Sequence, residues 1–165
     1  MKSPIEGATA KNIRKYESYK LAFEMIEDGI ANKCPLQSIA VEESILTDRL
    51  SSTLNVGKTK GKPFESLGAA LCGWHPKKGT PHPNAVLFDA EMEKLYPRID
   101  LWRQERNALL HAIVKSAQGA KPETDAADFI SRAMKAAEDG KLLARSVCNW
   151  SRKQIRKSSR TNIGK

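Results

Sequence analysis

The chain is poor in the features that mark secreted, membrane-spanning or β-rich proteins. Its three cysteines, Cys34, Cys72 and Cys148, are scattered and odd in number, which favours reduced thiols over a disulfide framework. No run of 18 apolar residues occurs, so no segment reads as a membrane span. The stretch Met1-Lys2-Ser3-Pro4-Ile5-Glu6-Gly7 has no apolar core of the kind a signal peptide carries, and the expected location is the cytoplasm. Aromatic residues make up 6% of the chain, and no stretch alternates apolar and polar residues convincingly enough to suggest a strand. There is no internal repeat. What remains is a 165-residue chain, 40% hydrophobic and 28% charged, which suits one soluble domain with a substantial core.

Acid is missing from one end. Residues 141–165 hold eight Lys or Arg and no Asp or Glu, whereas the other 140 residues hold 20 basic and 19 acidic side chains. Nearly all of the net charge of +9 therefore falls in the last 25 residues. Such a cluster suits a nucleic-acid backbone, with Arg152, Lys153 and Arg156 as candidate contacts.

Apolar residues recur at three- and four-residue steps along most of the chain, which predicts an all-α helical bundle. Helices are expected over residues 10–32, over 37–54 with Ser38 as N-cap, and over about 64–72. A helix over 85–96 is expected to be interrupted by Pro97, with another following over 98–117. Two more are expected over 125–138 and 141–157, separated by a stop at Asp139-Gly140. The helical domain would span residues 1–157, and 158–165 reads as a basic tail. Residues 55–84 interrupt the helical pattern with five glycines, four prolines and five lysines, and read as an irregular basic insertion.

The segment Arg106-Asn107-Ala108-Leu109-Leu110-His111 conflicts with its own helix. At 100° per residue, Arg106 lies inside the apolar stripe of Trp102, Leu109, Leu110 and Ile113. Asn107 and His111 form an i, i+4 pair on one flank. A buried arginine is expensive unless paired, and a conflict of this kind marks a site or an interface. The structural reading gives Arg106 a carboxylate on a neighbouring helix, with Glu42, Glu43 and Asp48 as candidates. The chemical reading uses the same residues on RNA. His111 can move the proton of a 2′-hydroxyl or of the leaving oxygen, Arg106 can offset charge on the phosphate, and Asn107 can support either.

Arginine, a polar residue and a histidine a few residues on within a helix resembles the signature of the HEPN superfamily, carried here by Arg106, Asn107 and His111. The resemblance implies a helical bundle, usually homodimeric, that cuts RNA without a metal or cofactor. It also implies a role as a toxin or phage-defence effector, with an antitoxin or defence-system partner protein. A variant of the family carries a tyrosine two residues after the histidine as a site of nucleotide addition; this chain has Ile113 there. The alternative expectation is a non-catalytic nucleic-acid-binding or helical interaction module of the same fold.

Two other patterns carry less. Gly57-Lys58-Thr59-Lys60-Gly61-Lys62-Pro63 has three residues rather than four between its glycines, and Pro63 stands where a phosphate loop needs Ser or Thr. A basic loop touching RNA through Lys58, Lys60 and Lys62 fits better. Cys72, His75 and His82 lack a second clustered pair of ligands, so no metal site is expected.

Overall fold

The computed structural model describes residues 10–54, 66–74, 89–114 and 122–161. They form five helices: α1 (Ala10–Ala31), α2 (Pro35–Leu54), α3 (Leu67–Trp74), α4 (Ala90–Val114) and α5 (Pro122–Thr161). There is no strand among the described residues, and none of their helices is long and apolar enough to cross a membrane. The fold is an all-α helical bundle.

The α1–α2 turn is tight. Lys33 takes a left-handed backbone at φ 55°, and Cys34 N–H donates back to the Gly29 carbonyl at 2.7 Å, closing α1. Pro35 then opens α2, a position where its missing N–H costs nothing. Ser38 is therefore not the N-cap; it is buried and its hydroxyl donates to the Ile26 carbonyl of α1 at 2.9 Å. Gly29 permits that approach, since a Cβ there would collide with the Ser38 hydroxyl and lie 3.2 Å from the Cys34 carbonyl oxygen.

α2 and α5 form the centre, with α1 against both. α4 packs along α5, and α3 is lodged between α2 and α4. The main core gathers Leu46, Leu50 and Leu54 of α2, Trp74 of α3, Ile99 and Trp102 of α4, and Val147 and Trp150 of α5. Trp74 and Trp150 meet edge to face with ring centroids 5.2 Å apart. A smaller cluster joins Tyr19 and Ile26 of α1 to Ile45, Ala144 and Cys148.

Two expected breaks are absent. Pro97 lies inside α4, where it removes one backbone hydrogen bond. It is exposed, so water can serve the carbonyl it abandons, while Leu95, Ile99 and Trp102 on the inner face carry the helix past it. Gly140 lies inside α5. The stripe Ala133, Ala136, Ala137, Gly140, Leu143, Ala144 and Val147 is continuous and buried through it. Asp139-Gly140 marks a close approach between helices, not a stop. α5 also runs to Thr161, so the first part of the expected tail, 158–161, is helical.

The N-terminus of α4 is held by Asp89, which accepts from the Met92 N–H at 3.1 Å as an N-cap. The same carboxylate accepts from Trp150 Nε1 at 3.1 Å and from Gln154 Nε2 at 2.6 Å, both on α5. Burial alone would raise this carboxyl, but these donors and the Lys157 ammonium hold it below the usual aspartate value.

Candidate functional site

The inner stripe of α4 reads Met92, Leu95, Ile99, Trp102, Arg106, Leu109, and every member but Arg106 is a buried apolar side chain. The arginine is placed there because it continues the three- and four-residue steps of that stripe. Its side chain keeps 14% exposure, and it makes an ion pair with Glu43 of α2, itself 25% exposed. Of the three candidate carboxylates, Glu43 is thus the one that meets Arg106. Asp48 lies elsewhere: it accepts from the Tyr19 hydroxyl and pairs with Lys15 at 3.0 Å. Glu42 is buried at a separate point of the core, beside Gly140 and Trp102.

Arg106 Nη1 also donates to Asn107 Oδ1 at 2.7 Å, while its Nε is buried with no hydrogen-bond partner. Burial lowers the guanidinium from its ordinary value, but an arginine remains cationic at neutral pH. The group is consequently oriented by a carboxylate on one arm and an amide on the other, and part of its side chain stays open to solvent. His111 lies farther along α4 and is exposed. Arg106 and Asn107 are therefore brought together with Glu43, and His111 is presented on the surface about 140° around the helix from Arg106. Leu110, expected in the apolar stripe, is instead 41% exposed.

The basic end of the chain is less bare in space than in sequence. Arg145 of α5 pairs with Glu27 of α1 at 2.6 Å, Lys153 with Glu91 of α4 at 2.8 Å, and Lys157 with Asp89 at 3.6 Å. Arg152 folds back onto Asn149 Oδ1 at 2.6 Å and the Cys148 carbonyl at 3.2 Å. Arg156 is exposed. The acids that answer this run stand on α1 and at the start of α4, beyond the reach of a local charge count. Trp150 faces the core, as its spacing suggests, and provides no stacking surface.

Lys58, Lys60, Lys62, His75 and His82 lie outside the described residues, as does most of the irregular insertion. Cys72 is exposed on α3, and among the described residues no group of His, Cys, Asp and Glu is arranged to hold a metal ion. No family model, curated protein or solved structure matches the chain.

Sequence reasoning missed the importance of Asp89 and the separate fates of Glu42 and Glu43. For Asp89 a signal exists, an aspartate followed by Glu91 and Glu93, the acidic first turn that marks a helix N-terminus.

Proposed function

We propose that this bundle is an endoribonuclease that cuts RNA by acid–base transesterification without a metal, in the manner of the HEPN proteins its motif resembles. The observation that carries the reading is the pose of Arg106. A guanidinium placed in a core stripe, oriented by Glu43 and Asn107 and still partly open to solvent, stands on the same helix as an exposed imidazole. Glu43 occupies the position of an anion on the arginine fork, and a scissile phosphate is an anion of comparable geometry. In the reaction, His111 takes the 2′-hydroxyl proton or protonates the leaving 5′-oxygen, and Arg106 offsets charge on the phosphorus centre. Asn107 holds the guanidinium. The products are a 2′,3′-cyclic phosphate and a 5′-hydroxyl end.

One chain supplies one imidazole, so a symmetric homodimer would supply both the acid and the base across one groove. The basic α5 residues Arg152, Lys153 and Arg156, with Lys58, Lys60 and Lys62, would hold the RNA backbone. A toxin or defence role, in the cytoplasm and under an antitoxin or partner protein, follows the same resemblance.

The test is incubation of the purified protein with total RNA in EDTA beside His111→Ala. Cutting in chelator, cyclic phosphate ends, and loss of both in the variant are the expected results. Cutting that needs added magnesium or manganese would overturn the mechanism. Mixing Arg106→Ala chains with His111→Ala chains then asks whether the site is shared. The mixed dimer keeps one imidazole and one guanidinium on different chains, so partial cutting, at the rate one imidazole supports, returns only if one site draws those two residues from two subunits.

One observation favours a second reading, a non-catalytic binding or interaction module. The Glu43–Arg106 pair accounts for the arginine within a single chain. RNA binding without cutting, at equal strength in His111→Ala and the parent, is the result that reading requires.

A further inference from the structure

Glu42 is the carboxyl group that the fold buries most completely among the described residues. Its exposure is 0%, and neither carboxyl oxygen has a hydrogen-bond partner. It stands where three helices meet: α2 carries it, α4 brings Trp102, and α5 brings Gly140. A Cβ at position 140 would lie 2.7 Å from Glu42 Cδ and 2.8 Å from Trp102 Nε1, and would collide with a Glu42 oxygen. The glycine in the middle of α5 therefore makes the space that the carboxyl group fills. Trp102 Nε1 already donates to the Ala136 carbonyl at 2.8 Å. On α4 the charged side chain one turn beyond Trp102 is Arg106, committed to Glu43. On α5 the charged neighbour is Lys141, beside Gly140. A carboxylate in such a place would lose its hydration without gaining hydrogen bonds, whereas a carboxylic acid is much cheaper to bury.

We propose that Glu42 is a proton-linked latch: with its proton it fills the joint of α2, α4 and α5, and loss of the proton loosens that joint. The inference does not depend on RNA cleavage. It does connect to the Arg106 pair, because Glu43 is the next residue on α2 and Trp102 is one turn from Arg106 on α4. Burial pushes the Glu42 carboxyl up to about 9, with the Lys141 ammonium pulling the other way, against an ordinary value of 4.5. Between those values the folded chain binds one more proton than the unfolded chain. Stability then falls as pH rises through that window and levels off above it, by about tenfold in the folding constant per pH unit. Neutral pH lies inside the window, so there the folded joint keeps its proton while the folding constant falls with rising pH, and the joint itself opens as pH passes about 9.

Glu42→Gln and Glu42→Met fill the joint without a titrating proton. Denaturant unfolding of the full chain between pH 5 and 10 is the experiment. The folding constant of either variant relative to the parent should grow about tenfold per pH unit and flatten near pH 9. A ratio independent of pH would overturn the proposal. Infrared spectroscopy of the parent gives a second readout. A protonated carboxyl band should be present at pH 7, absent from either variant, and bleached as pH passes 9. Should neither variant fold, that band in the parent decides alone: its bleaching supports the latch, and its absence at pH 7 overturns it.

Discussion

The two ends of α4 are built differently. At the N-terminal end, Asp89 caps the helix and also receives Trp150 and Gln154, and Glu91 pairs with Lys153. At the other end, Arg106 keeps a buried Nε without a partner, and Leu110 and His111 face outward. One helix thus has an end whose polar groups are spent on the fold and an end whose polar groups are only partly spent. On the proposed function, stability resides at the first and chemistry at the second, since a binding group must stay partly open to its ligand. Substitutions at the two ends can separate those assignments.

The largest effect on stability is expected at Asp89. Asp89→Ala removes an N-cap, worth about 1 kcal/mol, and leaves the buried Trp150 indole N–H unsatisfied, worth about 1–3 kcal/mol more. A loss of about 3 kcal/mol in denaturant unfolding is expected, with cutting activity of the remaining folded protein unchanged. Because the folded carboxyl lies below its ordinary value of 3.8, its contribution is complete above that value and is lost as pH falls further. Asp89→Asn should remove that acid limb. A loss under about 1 kcal/mol for Asp89→Ala would remove the contrast between the two ends.

Arg106 comes next. Its pair with Glu43 is neither fully buried nor exposed, so a coupling of about 1–3 kcal/mol is expected from a double-mutant cycle of Arg106→Ala and Glu43→Ala. Activity separates the two partners. Glu43→Gln keeps the guanidinium and should still cut, more slowly for want of its orientation, while Arg106→Ala should not cut at all. Equal activity losses in the two variants at equal stability losses would make Arg106 a structural residue.

The ease with which the sequence disclosed parts of this picture follows the range of the interactions. The conflict at Arg106 was legible because a stripe of Trp102, Leu109 and their neighbours predicts an apolar residue there, and such an arginine demands a carboxylate. Which carboxylate was not legible, since Glu42 and Glu43 are adjacent in sequence and differ by 100° around α2, a difference that matters only once α4 and α5 are in place. Pro97 and Asp139-Gly140 read as breaks because local propensity ends helices there. Packing overrode it, as the continuous small-residue stripe across Gly140 could have signalled. The acids beside the basic end of the chain were not legible there, because Glu27, Glu91 and Asp89 are distant in sequence and close in space.

His111 should show the contrast in its purest form. An exposed side chain away from the core is worth little to the fold, so His111→Ala should change stability by no more than about 0.5 kcal/mol. Loss of a general acid or base should slow cutting by about 10²–10⁴-fold. Circular dichroism melts beside a single-turnover cleavage assay provide both numbers. A variant that melts early, or that cuts at the parent rate, would remove His111 from the site.

The smallest effect tests whether the fastened end takes any part in RNA binding. Lys153 lies 2.8 Å from Glu91, so in the free protein its charge is already answered, though an exposed pair of this kind is worth only about 0–1 kcal/mol and yields readily to a phosphate. Glu91→Gln leaves the lysine in place and removes its competitor. If α5 contacts the RNA backbone, this variant should bind single-stranded RNA slightly more tightly. Its salt dependence should not weaken, because no phosphate contact is lost. Reversal of Arg152, Lys153 and Arg156 should act oppositely, each lost contact removing about 0.7 from the slope of log affinity against log salt. Opposite shifts from the two variants would place the RNA against α5. If Glu91→Gln and the triple reversal both leave affinity unchanged, the cations of α5 belong with Asp89 to the scaffold, and the proposed RNA contact moves first to Lys58, Lys60 and Lys62.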